Sequence, residues 1–345
     1  AQSARRGIWS QTDPVAPWTF RGETLPAEAE PSGVAAGVAS NLDINVSERS
    51  GADNECAIAK NPANPLQLVA HCNGRAIVRR SIDGGLTWND GASVGSYCCD
   101  PNLAWDSYGN LYATVINGSL NSIVTVLSVD GGASFVPLAA FGGSGVDQPS
   151  VVATDLTAGG VALWIVWNDG VNMVGRGALV SGPGLGNIGP FVPQQAIPTT
   201  GNCSFGDVAV APSGAVVQVC GNPSGGQGPS NLRVNTDPDG LTATLGFGPS
   251  VIATTTNVGG FDFIPAQNSR SVDPEAGLAY DRNPASPHFG RLYLLYTEEV
   301  TPEAHDLNIQ LIHSDDNGLV WSKGVLQINT DATTRSQFLP KIASD

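Results

Sequence analysis

Ser81-Ile82-Asp83-Gly84-Gly85-Leu86-Thr87-Trp88 recurs as Ser128-Val129-Asp130-Gly131-Gly132-Ala133-Ser134-Phe135 and again as Ser314-Asp315-Asp316-Asn317-Gly318-Leu319-Val320-Trp321. All three read S-x-D-x-G-x-x-aromatic, and a degenerate copy lies at 235–240. The pattern describes a tight turn between two strands. Glycine at the fifth position permits a positive φ. The Asp carboxylate accepts backbone N–H bonds across the turn, and the closing aromatic packs between strands. D-x-[DN]-x-G also resembles an ion loop, but the later bidentate Glu of an EF-hand is missing. Asp83, Asp130 and Asp316 are therefore read as structural. A structural Ca²⁺ is the one ion this reading leaves room for, and no cofactor is required.

A second repeat precedes each turn. It is an apolar strand, a turn with Asp, Asn or Gly, and another apolar strand, with copies at 57–74, 102–118, 150–170, 207–222 and 277–299. The triplet A-x-[DN] closes the first strand at Ala59, Ala104 and Ala279. A third strand follows and runs into the turn, as in AIVRRS, SIVTVLS and NIQLIHS. A weak fourth strand completes a four-stranded antiparallel meander. Five such units in series predict an all-β fold, a β-propeller. Blades fall near 52–95, 96–143, 144–200, 201–256 and 257–335. Residues 1–50 lack the repeat and read as an extended N-terminal arm, with a strand at 42–46 that closes the ring. The propeller spans 51–345. Lys341-Ile342-Ala343-Ser344-Asp345 matches Asn102-Leu103-Ala104-Trp105-Asp106, so the last ten residues read as the first strand of a sixth, incomplete blade. A lone inner strand leaves backbone groups unpaired. The expected partner is a C-terminal fragment of the same precursor or a neighbouring subunit, adding strands to it.

The motif S-x-D-x-G-x-[ST]-[WF] is the Asp box, or BNR repeat, and over roughly 52–345 the sequence resembles the sialidase-like β-propellers. The resemblance implies six blades in an extracellular protein that handles glycans. It does not by itself imply sialidase activity, because Asp boxes also occur in other glycosidases, lyases, lectins and receptors. Sialidases of the family clamp a carboxylate with three Arg, the first in an F/Y-R-I-P motif, and use an Asp acid and a Tyr nucleophile activated by Glu. Here Phe263-Ile264-Pro265 and Phe338-Leu339-Pro340 lack that Arg. Arg75, Arg270 and Arg335 lie at mouth positions, Arg291 on the far side. Tyr296 beside Glu298 and Glu299 stands in an apolar strand, which reads as core.

Composition agrees with a β-rich extracellular chain. With 41% hydrophobic and 14% charged residues, the 345-residue chain is not disordered. Its 42 Gly and 24 Pro suit many short strands and tight turns. No apolar run reaches the roughly 18 residues of a membrane span. The net charge of −15 opposes nucleic acid and acidic membrane surfaces. The chain begins with Ala and has no signal-like apolar run, so it reads as a mature form.

None of the six cysteines lies in CxxC, and the four His are scattered, so no zinc site is expected. Cys56 and Cys72 flank a strand–turn–strand symmetrically, as do Cys203 and Cys220, so each pair is expected to be a cross-strand disulfide. Cys98-Cys99 either bond to each other or rearrange the pairing. Disulfides imply an oxidising compartment, and hence secretion or the cell surface. Sequons stand at Asn45, Asn117 and Asn202.

In a propeller the innermost strand is the first of each blade, and residues leading into it border one mouth of the central channel. Aligning Ala59, Ala104 and Ala279 puts Glu55, Asp100 and Glu275 at one repeated position, with Asp147, Asp169, Asp273 and Glu298 nearby. Crowded carboxylates raise one another's pKa, and paired carboxylates are what glycosidic cleavage needs. Asp100, Glu275, Glu55 and Glu298 are the candidate catalytic residues. Arg75, Arg335, Asp147, Asp169, Tyr97 and Arg270 are the candidate substrate contacts. The reading is a secreted enzyme cleaving a glycan at an acidic mouth. The alternatives are a glycan-binding or recognition propeller without catalysis and an assembly protein.

Overall fold

The computed structural model describes residues 44–50, 53–143, 145–201, 203–330 and 333–344. Most of the expected arm lies outside these residues. Blade 1 is β1 (Ala57–Lys60), β2 (Leu68–His71), β3 (Ile77–Ser81) and β4 (Asn89–Ser93). Blade 2 is β5 (Tyr97–Trp105), β6 (Leu111–Asn117), β7 (Ser122–Ser128) and β8 (Val136–Gly142). Blade 3 is β9 (Asp147–Asp155), β10 (Val161–Asn168), β11 (Met173–Val180) and β12 (Gln195–Ala196). Blade 4 is β13 (Ser204–Val210), β14 (Val216–Pro223), β15 (Ser230–Asp237) and β16 (Val251–Thr256). A hairpin, β17 (Asp262–Ile264) and β18 (Gln267–Val272), precedes blade 5, which is β19 (Gly277–Tyr280), β20 (Leu292–Glu299), β21 (Leu307–Ser314) and β22 (Leu326–Gln327). Each blade is an antiparallel sheet in chain order, and the first strands of successive blades neighbour one another. The chain is a β-propeller. No helix among the described residues is long and apolar enough to cross a membrane.

The second strands explain the core. Val161-Ala162-Leu163-Trp164-Ile165-Val166-Trp167 of β10 is apolar without a break because a blade packs on each side. The two-residue period of a strand sorts these side chains. Val161, Leu163, Ile165 and Trp167 join Tyr112 and Ile116 of blade 2. Ala162, Trp164 and Val166 join Val208 and Val210 of blade 4. Further layers fill the joints between blades 1 and 2 and between blades 4 and 5, where Tyr296 is a core residue.

The three S-x-D turns occupy equivalent places between third and fourth strands, and their bonding repeats. The Ser hydroxyl donates to the Asp carboxylate at 2.7 Å in each copy. The same hydroxyl accepts the N–H of Gly85, Gly132 or Gly318 at 2.8–2.9 Å. The Asp also accepts the N–H four residues on, from Thr87, Ser134 or Val320. Gly132 and Gly318 take φ of +81° and +86°. A side chain at Gly318 would start 2.9 Å from Val234 of the preceding blade, so no other residue fits. The carboxylates are engaged within their own turns. Ser128→Ala, removing a buried hydroxyl that serves two backbone N–H groups, is expected to cost about 1–2 kcal/mol. Urea unfolding checks this, and an unchanged midpoint would refute the role of the hydroxyl.

The A-x-[DN] triplet caps the first turn of blades 1, 2 and 5. Asn61 accepts the N–H of Ala63, Asp106 those of Tyr108 and Asn110, and Asp281 that of Asn283. Disulfides join Cys56 to Cys72 and Cys203 to Cys220 across the first two strands of blades 1 and 4, and Cys98 bonds Cys99.

Two sequence expectations are corrected. Residues 44–46 form no strand; instead the Val46 carbonyl accepts the Arg79 Nε–H at 2.9 Å, so this part of the chain clings to blade 1 through side chains. Residues 257–276, expected as ordinary blade, contain the inserted hairpin β17–β18. The sixth blade is incomplete. Residues 341–344 run beside β19 without a backbone ladder: Lys341 pairs with Glu275, Ile342 packs on Gly277, and the Ser344 hydroxyl donates to the Tyr280 carbonyl.

Candidate functional site at the acidic channel mouth

The residues leading into the inner strands share an unusual backbone. Glu55, Asp100, Gln148 and Glu275 take φ of +48°, +51°, +50° and +43°, and Leu339, before the 341–344 segment, takes +54°. Left-handed backbone is uncommon outside glycine and is strained. Its recurrence in four blades and in the 339–344 segment marks one structural position. The alignment on Ala59, Ala104 and Ala279 identified three of these residues.

Hydrogen bonds link this position from blade to blade. Asn73, after β2, donates from its amide to the Glu55 carboxylate and accepts the Asp100 N–H at 2.6 Å. Asp100 Oδ2 accepts the Gln148 N–H at 3.3 Å. Asn168, the last residue of β10, donates to the Cys203 carbonyl at 2.8 Å. The mouth is thus a belt in which side chains of one blade hold the next blade's inner strand.

Asp147 stands against Asp100. Its side chain remains open to the mouth, yet crowding by protein and the adjoining Asp100 carboxyl push its pKa up to about 7. Because Asp147 keeps contact with water, the neighbouring Asp100 charge is the cause that matters most for chemistry. Across the mouth, Asp273 accepts the Glu275 N–H at 2.6 Å. Burial and the Glu275 charge raise the Asp273 pKa. Lys341 pairs with Glu275. Asp207 of β13 accepts from the Ser150 hydroxyl at 2.7 Å and the Leu278 N–H at 3.0 Å, tying three inner strands together.

Other candidates lie elsewhere or are bound up internally. Glu298 accepts from Asn257 N–H at 3.0 Å and the Thr256 hydroxyl at 3.3 Å, and burial raises its pKa. It belongs to the joint of blades 4 and 5 and not to the Asp100 belt. Arg75 pairs with Asp53 at 2.5 Å and donates to the Ser50 carbonyl. The Tyr97 hydroxyl donates to the carbonyls of Cys72 and Arg75, with its ring against His71. Asp169 accepts the N–H groups of Val171 and Asn172 in its own turn. Arg335 is exposed beside the segment that holds His305. The Arg270 side chain and Asn202 lie outside the described residues.

Sequence reasoning passed over Asp207 and Lys341, whose partners come from other blades. It also passed over Asp262, Glu303 and His305, whose ligand-type atoms lie within 4.8 Å of one another. A cavity of about 460 Å³, lined by Leu179, Asn187, Ile188, Pro190 and Leu241, lies in the connection after β11, at the opposite end of the blades from the mouth.

No family model matches the sequence, and no curated protein matches it. Among solved structures the chain is similar to the GH74 enzyme of Niastella koreensis, at 15% identity, over 78% of this chain and 38% of that one, with a TM-score of 0.45. It therefore spans well under half of that enzyme. It is similar to the α-L-arabinanase of Penicillium chrysogenum complexed with arabinobiose, at 15% identity over 83% of each chain, TM-score 0.45. It is also similar to the GH93 α-L-arabinofuranosidase of Fusarium graminearum with arabinobiose, at 11% identity over 83% of each chain, TM-score 0.48.

Proposed function

We propose that this chain is a secreted carbohydrate-active enzyme of the sialidase-like superfamily that cleaves a glycosidic bond at the acidic mouth. The observation that carries the reading is the Asp100–Asp147 carboxyl pair, in which burial and the neighbouring Asp100 carboxyl raise the Asp147 pKa to about 7, so that a protonated fraction persists near neutral pH. A carboxyl group in that state can protonate a leaving glycosidic oxygen. Glu55 and Glu275 share the backbone position of Asp100 and supply the second carboxylate, as nucleophile or base. Strained backbone at this position agrees with a functional role. The three disulfides agree with secretion. The sialidase-like placement rests on the S-x-D turns, without the Arg clamp of the sialidases themselves.

A hydrolysis and binding screen over α- and β-linked oligosaccharides tests this. Turnover of at least one glycan is expected. Binding without turnover would replace the enzyme by a glycan-binding propeller, and neither would favour an assembly role.

We further infer that additional strands complete the sixth blade against β1, whose Ile58 is 60% exposed on the face opposite the one that packs on blade 2.

A further inference from the structure

The inserted hairpin β17–β18 and the loop between β20 and β21 meet at side chains that the acidic mouth does not use. Asp262 is 0% exposed. Its Oδ2 accepts the Gly259 N–H at 3.3 Å, while its buried Oδ1 has no hydrogen-bond partner among the described residues. The buried Nδ1 of His305 likewise has none. The Glu303 carboxylate completes a group whose ligand-type atoms all lie within 4.8 Å of one another. Two unpartnered buried polar atoms on residues clustered this closely are costly. A divalent cation among them satisfies both.

The surrounding backbone is organised to present these groups. Glu299, the last residue of β20 and fully buried, accepts the N–H of Glu303 at 2.8 Å and of His305 at 2.6 Å. Glu303 and His305 take φ of +59° and +56° in that loop, a strained conformation held by the Glu299 carboxylate. Gln227 of the blade 4 loop donates to Glu303 Oε2 at 2.8 Å and accepts the Phe263 N–H at 3.1 Å. Ligands from two separate elements are therefore fixed before any ion arrives.

We propose that Asp262, Glu303 and His305 bind one divalent first-row transition-metal ion, which clamps the inserted hairpin to the β20–β21 loop. One imidazole with two carboxylates suits Zn²⁺ or Mn²⁺, whereas Ca²⁺ and Mg²⁺ favour all-oxygen sites. The proposal stands independently of the glycosidase reading.

The test uses the full chain, stripped with EDTA and titrated with Zn²⁺, Mn²⁺ or Ca²⁺ by calorimetry and thermal unfolding. One Zn²⁺ per chain is expected, with a raised unfolding temperature at saturation. Asp262→Asn and His305→Gln should each weaken Zn²⁺ binding at least tenfold, and His288→Gln, in an exposed loop, should not. If Asp262→Asn does not fold, Glu303→Gln, on the exposed side of the cluster, takes its place. No saturable Zn²⁺ binding below about 100 µM, or binding undiminished in the His305 and Glu303 variants, would overturn the site. Ca²⁺ binding as tightly as Zn²⁺ would overturn the class of metal.

Discussion

Asp147→Asn is expected to cut turnover on any hydrolysed glycan by a hundredfold or more while leaving the fold intact, because an amide cannot deliver the proton. Asp100→Asn should act differently. It removes the negative charge that favours the neutral form of Asp147, so the acid's pKa falls. The alkaline limb of kcat/KM, expected near pH 7 in the parent protein, should move to lower pH. Stability follows the same sign. A carboxyl whose folded pKa is raised stabilises the fold below its unfolded value and loses that contribution as pH rises through the folded value. This contribution of Asp147 therefore declines from about pH 4 to about pH 7, and Asp147→Asn should flatten the decline. Full activity in both amide variants would place the chemistry elsewhere.

The largest single loss of stability is expected from Asp106→Ala. Asp106 is 1% exposed at the first turn of blade 2. It accepts the N–H of Tyr108 and Asn110, the Asn110 side-chain amide at 2.7 Å and the Tyr112 hydroxyl at 2.9 Å. Asn110 and Tyr112 are themselves fully buried, so truncation strands several donors away from water. Hydrogen bonds to a charged group carry about 1.5–3 kcal/mol each, so the expected loss is about 3 kcal/mol or more. Asp106→Asn keeps the shape and the oxygen that accepts the Tyr108 and Asn110 N–H groups but sets an NH2 against the Asn110 amide, so it should cost less than the Ala variant without being neutral. Denaturant midpoints of the two variants decide it, and a loss below about 1 kcal/mol for the Ala variant would show that water replaces the carboxylate.

The S-x-D turns were legible because every bond in them is local. Ser81, Asp83, Gly85 and Thr87 meet whatever the rest of the chain does. The A-x-[DN] caps are local for the same reason, and they carried the alignment that put Glu55, Asp100 and Glu275 at one position. Gln148 shares that backbone but was not legible, because β9 ends in Ala153-Thr154-Asp155 with one extra residue before it, so aligning Ala153 puts Pro149 and not Gln148 at the shared position. The disulfides of blades 1 and 4 could be read because a hairpin turn places its flanks opposite each other. For Cys98 and Cys99 no such symmetry existed.

The sequence by itself determined the period, the strands, the turn chemistry and the direction of the charge. These follow from neighbours along the chain, whose geometry the backbone imposes. Only the tertiary structure decided which polar groups remain to act. It consumed Arg75 on Asp53 and Ser50, and Tyr97 on backbone carbonyls. It set Asp147 against Asp100 across two blades, and it gathered Asp262, Glu303 and His305 from a hairpin and a distant loop. The pKa of a carboxyl and the ligand set of a cation depend on distances of a few ångströms between residues far apart in the chain. Those distances are products of how blades pack, and no local pattern encodes them.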